Sequence, residues 1–152
     1  MKELGVDTYN TNIKIAKVIP PKIVCKEFGI DEVQWVFEMK RLQVVKEDGV
    51  ILAGLHNYLN PKLDISLDPN EYTDSFYKYL KEKKGIIVSS VKEIIEAVKS
   101  DKQINEFLGI ETDVILKKTR TTFDQNGRIV EFTYSYYPST VYKYTVEFSL
   151  NN

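Results

Sequence analysis

Between Val114 and Leu150 the chain alternates polar and apolar residues around an Asn126-Gly127 pair, and no other stretch constrains the fold as strongly. Alternation at period two marks a half-buried strand, and Asn-Gly accepts the positive φ of a tight hairpin turn. A second break at Pro138-Ser139-Thr140 precedes a third run, Val141 to Phe148. The stretch is therefore expected to form a three-stranded antiparallel meander.

Side chains alternate across a strand, so on the middle run Val130, Phe132, Tyr134 and Tyr136 share one face and Glu131, Thr133, Ser135 and Tyr137 the other. The first set is core material. The second is a row of hydrogen-bonding groups around one carboxylate. It either faces water, as one side of many antiparallel sheets does, or lines a binding site.

The 152 residues suffice for one domain with a sizeable core, and ten Tyr with seven Phe favour a sheet-rich interior. A formal net charge of -1 argues against a surface that grips nucleic acid through bulk electrostatics. The single Cys25 excludes an internal disulfide and offers no metal-ligand spacing, which fits a reducing cytoplasm. Within PKIVCKEF it reads as a small buried hydrophobe rather than a reactive thiol. No apolar run approaches the roughly 20 residues that span a bilayer, and MKELGVDTYN lacks the apolar stretch of a signal peptide. A cytoplasmic protein with no membrane partner is expected.

In chain order, residues 1–11 are polar and aperiodic and read as a tail or linker remnant, leaving 12–152 as the folded domain. Ile13, Ile15 and Val18 suggest a strand that Pro20-Pro21 stops, and Pro21 opens a short helix, Lys22 to Phe28, closed by Gly29. Val33 to Val45 alternates as a long strand, Glu47-Asp48-Gly49 turns it, and Val50 to Leu59 returns. A helix is expected over Asn70 to Lys84, with Tyr72, Phe76, Tyr79 and Leu80 on one stripe. The next segment is ambiguous: Ile86-Ile87-Val88 is β-like, whereas Val91, Ile94, Ile95 and Val98 have helical spacing. Ser100 stands where it would cap a last helix, Asp101 to Leu108, ended by Gly109.

On the long strand Trp35, Phe37, Met39, Arg41 and Gln43 share a face, so a guanidinium accompanies a row of large apolar groups. A charge removed from water needs a partner, and arginine's five donors suit a carboxylate or phosphate. Either the apolar face ends at Met39 and Arg41 emerges into solvent, or Arg41 is buried for a purpose. The only histidine, His56, has no Cys or carboxylate cluster around it and reads as a structural or pocket-lining residue, not a metal ligand.

The two halves of the chain are weakly similar. KEFGIDEVQWVFEMKR, EDG and YLNP run parallel to NEFLGIETDVILKKTR, QNG and YYPS, so that Gly29, Arg41, Gly49 and Pro61 match Gly109, Arg120, Gly127 and Pro138. Such a period is too long for a solenoid repeat. It predicts two helix-plus-hairpin halves related by a pseudo-twofold in one antiparallel sheet with helices on one side, and brings Arg41 and Glu131 toward one cleft.

A short helix ending in LG-I, a strand ending in R-L-x, a D-G turn, a helix containing S-F-Y and then L-x-K-x-R-x-x-x-D-x-x-G-x-x-V-E-x-T-x-S-x-Y together resemble the UTRA domain. This is the effector-binding half of HutC-type regulators in the bacterial GntR family, with the fold of chorismate lyase. The resemblance covers nearly all of residues 12–150 and is strongest from Arg120 to Tyr142. It implies an α+β fold with a six-stranded antiparallel sheet and flanking helices, a homodimer, and a pocket for a small anionic metabolite such as a phosphorylated sugar or a carboxylate. It also implies that 86–97 is a strand.

Carried over by position, the family's anion-binding arginine pair falls on Arg41 and Gln43, its helix serine on Ser75, its strand glutamate on Glu131 and its tyrosine on Tyr137. Gln43 lacks the second guanidinium and Pro138 replaces a common arginine, both of which weaken a phosphate reading. The candidate ligand-binding set is Arg41, Gln43, His56, Ser75, Tyr77, Glu131, Thr133, Ser135 and Tyr137, with no metal and no cofactor. DNA would be reached only through a winged helix-turn-helix for which residues 1–20 have no room. The resemblance also leaves two other readings, an enzyme of the chorismate lyase type and a dimerisation module with a vestigial pocket.

Overall fold

The computed structural model describes residues 7–32, 34–140, 143, 145, 147, 149 and 150. Six strands form one antiparallel sheet: β1 (Thr8–Val18), β2 (Val36–Val45), β3 (Ile51–Leu59), β4 (Val88–Lys99), β5 (Val114–Asp124) and β6 (Ile129–Pro138). Their order across the sheet is β1-β2-β3-β6-β5-β4, so each half contributes three strands and β3 meets β6 at the centre. Helix α1 (Lys22–Phe28) joins β1 to β2, and α3 (Lys102–Leu108) joins β4 to β5 in the same way. The connectivity is thus the pseudo-twofold that the internal repeat predicts. Arg41 stands opposite Leu55 while Arg120 stands opposite Thr133, so the two arginines are register equivalents.

The two hairpin turns are built alike. Asp48 Oδ1 accepts from the Val50 amide at 3.0 Å, and Asp124 Oδ1 accepts from the Asn126 and Arg128 amides at 2.8 Å. Each turn then passes through glycine, Gly49 at φ 72° and Gly127 at φ 74°, where a Cβ would be strained.

Several expectations are corrected. The place beside β6 that a meander would give to Val141–Phe148 belongs to β3, paired from Gly54↔Tyr136 to Leu59↔Glu131. A central strand is covered on both faces, and the nearly continuous burial of β3 suits that position better than the alternating YKYTVEF. The expected third strand itself lies mostly outside the described residues. The presumed tail is shorter than 1–11, because Thr8–Thr11 pair with Leu42–Val45 as the start of β1. The long strand is described from Val36; Val33 lies outside the described residues.

The helix expected over Asn70–Lys84 is two pieces, a 3-10 turn at Pro69–Tyr72 and α2 at Phe76–Lys84. Asp68 caps the first and Ser75 the second, each through its side-chain oxygen, so the backbone restarts at Ser75. Asp101, not Ser100, caps α3 by accepting from the Ile104 amide at 2.9 Å, while the Ser100 hydroxyl turns to Asn105. The ambiguous segment is β4, paired with β5 from Val88 to Lys99 against its own helical spacing. Its β-branched residues and the open edge of β5 decide the matter.

Helices lie on both faces, not on one side as the repeat predicted, because the chain between β3 and β4 crosses to the face opposite α1 and α3. On one, α1 packs Val24 and Phe28 on Val36, Tyr58 and Phe132, while α3 packs Leu108 on Leu42 and Val44. Gly54 lets α3 approach, for a Cβ there would meet Leu108 Cδ2 and Phe107 Cε2 at 2.9 Å. Cys25 is buried within α1. On the other face α2 and the two 3-10 turns (61–63 and 69–72) cover Phe37, Met39 and Leu59 with Leu63, Ile65, Tyr72, Phe76 and Leu80. Val130 joins this second cluster instead of the Phe132 face, because the register shift at Thr122/Phe123 turns it over.

Candidate functional site

The faces of β2, β3 and β6 that carry Arg41, Gln43, Asn57, Glu131, Thr133 and Ser135 are roofed by the segment Thr73–Tyr77, enclosing a cavity of about 70 Å³. That is room for a handful of waters or a comparably small organic molecule. Asn10 on β1 holds the roof down: its side-chain amide donates to the Tyr72 and Asp74 carbonyls at 3.0 Å, and its backbone amide donates to Thr73. The start of α2 therefore borders the cavity, where the positive end of the helix dipole favours negative charge.

Arg41 is 8% exposed, so the reading in which it emerges into solvent is set aside. Its guanidinium touches Met39 Sδ at 3.4 Å and lies 5.8 Å from the Phe76 ring centroid, and its Nε has no hydrogen-bond partner. Burial lowers its pKa from the ordinary arginine range, and the charge of Glu131 offsets only part of this. A buried cation without a carboxylate against it is costly unless something else supplies the anion.

Glu131 is the opposite case, 2% exposed and fully supported. Its Oε1 accepts from the Tyr77 hydroxyl and from Thr122 at 3.1 Å, and its Oε2 accepts from Asn57 Nδ2 at 3.1 Å. Asn57 Nδ2 also donates to Thr133 at 2.8 Å. Arg120 extends the network, donating to Tyr77 at 3.3 Å and pairing with Glu93 at 3.1 Å. Burial first, then the Glu131 charge, push the Tyr77 hydroxyl well above the usual phenol range.

Seven of the nine candidate residues line this cavity: Arg41, Gln43, Ser75, Tyr77, Glu131, Thr133 and Ser135. His56 does not. It sits between Leu55 and Asn57, which line the cavity, so alternation turns it to the α1/α3 face, where its ring bonds to Glu38 at 2.9 Å and lies against Tyr58. Tyr137 is on the cavity's side of the sheet but packs beside it against Leu52, Ala53 and Leu55, with Lys118 Nζ 4.9 Å from its ring centroid. Asn57 was missed because β3 lacks a readable alternation, and Asn10 because it lay in the presumed tail. Arg120 was legible only as the repeat partner of Arg41. Among the described residues no group of three His, Cys, Asp or Glu side chains is placed to hold a metal ion.

The family model of the UTRA domain matches residues 3–143. The chain belongs to the UTRA domain family. No protein of curated function matches it in sequence. Solved structures share the fold of this UTRA domain. The possible transcriptional regulator YydK from Bacillus subtilis superposes with a TM-score of 0.84 at 15% identity, over 96% of this chain and 65% of that one. The UTRA domain thus spans just under two thirds of YydK. The effector domain of PhnF from Mycobacterium smegmatis gives 0.81 at 19% identity, covering 98% and 91% of the two chains. A GntR-family transcriptional regulator from Enterococcus faecalis gives 0.74 at 21% identity, over 93% and 99%. Among the described residues no helix is long and apolar enough to cross a membrane.

Proposed function

We propose that this UTRA domain senses a small anionic effector for a GntR-type transcription regulator, with the cavity between α2 and the sheet as the effector site. The observation that carries the reading is Arg41, buried and without a carboxylate, in a cavity roofed by the start of α2. Its guanidinium and the α2 amides would take the anion, Ser75 would add a hydroxyl, and Glu131 with Thr133 and Ser135 would receive the rest of the molecule. The roof, pinned to β1 by Asn10, is the element that effector contacts would tighten.

The output would be DNA affinity, through a DNA-binding domain outside this chain and a homodimer whose two arrangements bind effector unequally. Support for the dimer comes from β4, an edge strand among the described residues with Val91 and Ile94 exposed. Thermal shift against a panel of small carboxylates and phosphate esters tests the effector reading. A ligand at 100 times its Kd adds about 2.7 kcal/mol of stability, and Arg41→Ala should remove that gain. Binding that survives Arg41→Ala unchanged counts against the site. The enzyme alternative makes a separate prediction, release of 4-hydroxybenzoate from chorismate, and its appearance would replace the sensor reading.

A further inference from the structure

Three buried side-chain polar atoms among the described residues lack a hydrogen-bond partner, namely Arg41 Nε, Gln43 Oε1 and Asn57 Oδ1, and all three belong to residues lining the one cavity. Buried polar groups are nearly always paired, so three orphans around a single hollow mark what its occupant must supply. Arg41 asks for an acceptor, and its charge asks for an anion. Asn57 asks for the reverse. The orientation of its amide is fixed, because Nδ2 donates to the Glu131 carboxylate, which can only accept, and the atom left over must be the oxygen.

The surroundings of that oxygen narrow the donor further. A carboxylate has about four lone-pair sites, and Glu131 uses two on Oε1 for Tyr77 and Thr122 and one on Oε2 for Asn57. One site on Oε2 remains open beside the amide whose Oδ1 is empty. Two acceptors, one of them a carboxylate, are thus offered together. A hydroxyl has one proton and answers only one of them, while an ammonium has three N–H donors and the opposite charge.

We infer that the effector is a small zwitterion, with an anionic group on Arg41 and a primary ammonium received by Glu131 Oε2 and Asn57 Oδ1. The inference rests on the cavity being the effector site. Carboxylate or phosphate could supply the anionic end, since the ammonium chemistry is shared; Arg120, which also lines the cavity, is engaged by Tyr77 and Glu93, so the one guanidinium of Arg41 and the glutamine at position 43 favour the singly charged carboxylate.

Matched compounds differing only in amine against hydroxyl test this on the intact chain by calorimetry. γ-Aminobutyrate with γ-hydroxybutyrate and L-alanine with L-lactate form the carboxylate arm; phosphoethanolamine with 2-hydroxyethyl phosphate forms the phosphate arm. At least one amine is expected to bind tenfold or more tightly than its hydroxyl twin, with Glu131→Gln bringing the ratio toward one. Should Glu131→Gln not fold, Asn57→Ser must lower the same ratio. Hydroxyl twins that bind as tightly as the amines, still dependent on Arg41, overturn the zwitterion and leave the sensor reading standing. An absence of Arg41-dependent binding in either arm overturns both.

Discussion

Arg41 and Arg120 occupy equivalent positions in the two halves of the sheet, yet Arg120 holds Glu93 at 3.1 Å while Arg41 faces the sulfur of Met39. Repetition in the chain placed two guanidiniums symmetrically, and the neighbours broke the symmetry. One arginine became part of the wall and the other was left to serve a ligand.

If Arg41 is kept for binding at the expense of stability, removing its charge should help the empty protein. Arg41→Met is expected to raise the ligand-free stability by about 1 kcal/mol, or roughly 3 °C in Tm for a chain of this size, while abolishing effector binding. Differential scanning calorimetry without ligand checks the first part. A variant markedly less stable than the parent would mean that Arg41 is a structural residue.

Tyr77 links α2 to the buried carboxylate, so Tyr77→Phe leaves Glu131 without one donor and Arg120 without one acceptor. A cost of about 1–3 kcal/mol is expected in urea unfolding, with the m-value unchanged. The corresponding Tyr79→Phe, whose hydroxyl accepts from the part-buried Ser66 amide at 3.3 Å and touches no buried carboxylate, should cost less.

His56 predicts a pH dependence. Burial lowers its pKa below the ordinary value, against the pull of Glu38, whose carboxylate accepts from the ring Nε2. Below pH 6.5 the unfolded chain therefore binds the proton more readily than the folded one, and stability falls as pH drops from there toward the lowered value. Urea midpoints measured between pH 7.5 and 5.5 should decline, and His56→Gln should flatten that part of the curve. An unchanged slope in the variant would assign the effect to other groups.

A dimer through β4 predicts a specific register. Antiparallel pairing of two β4 edges about Ile94 sets Lys92 of each copy opposite Glu96 of the other, an arrangement favourable across strands. Ile94→Lys should shift the sedimentation coefficient from dimer to monomer with the circular dichroism spectrum preserved. A variant that remains dimeric places the interface elsewhere.

Short-range chemistry in the sequence was decisive where it was local. Pro21 with Gly29 delimits α1, Gly109 ends α3, and the Asp-Gly and Asn-Gly turns set both hairpins, since each depends on φ values and caps within a few residues. The repeat added the pairing of Arg41 with Arg120 and with it the fold's twofold. Sequence alone determined that an arginine and a glutamate would stand in opposite halves of one doubled sheet, and it left the burial of Arg41 open.

The tertiary structure decided the rest, because strand neighbours and facing layers are not written in any strand's own pattern. β3 displaced the expected meander partner of β6, the edge of β5 drew β4 out of its helical spacing, and the parity of β3 sent His56 away from the cavity while bringing Asn57 in. Whether a polar row is a wet surface or the floor of a pocket depends on what covers it. Here the cover is the capped restart of the chain at Ser75, held over Glu131 by its own Tyr77 and by Asn10 from a distant part of the sequence.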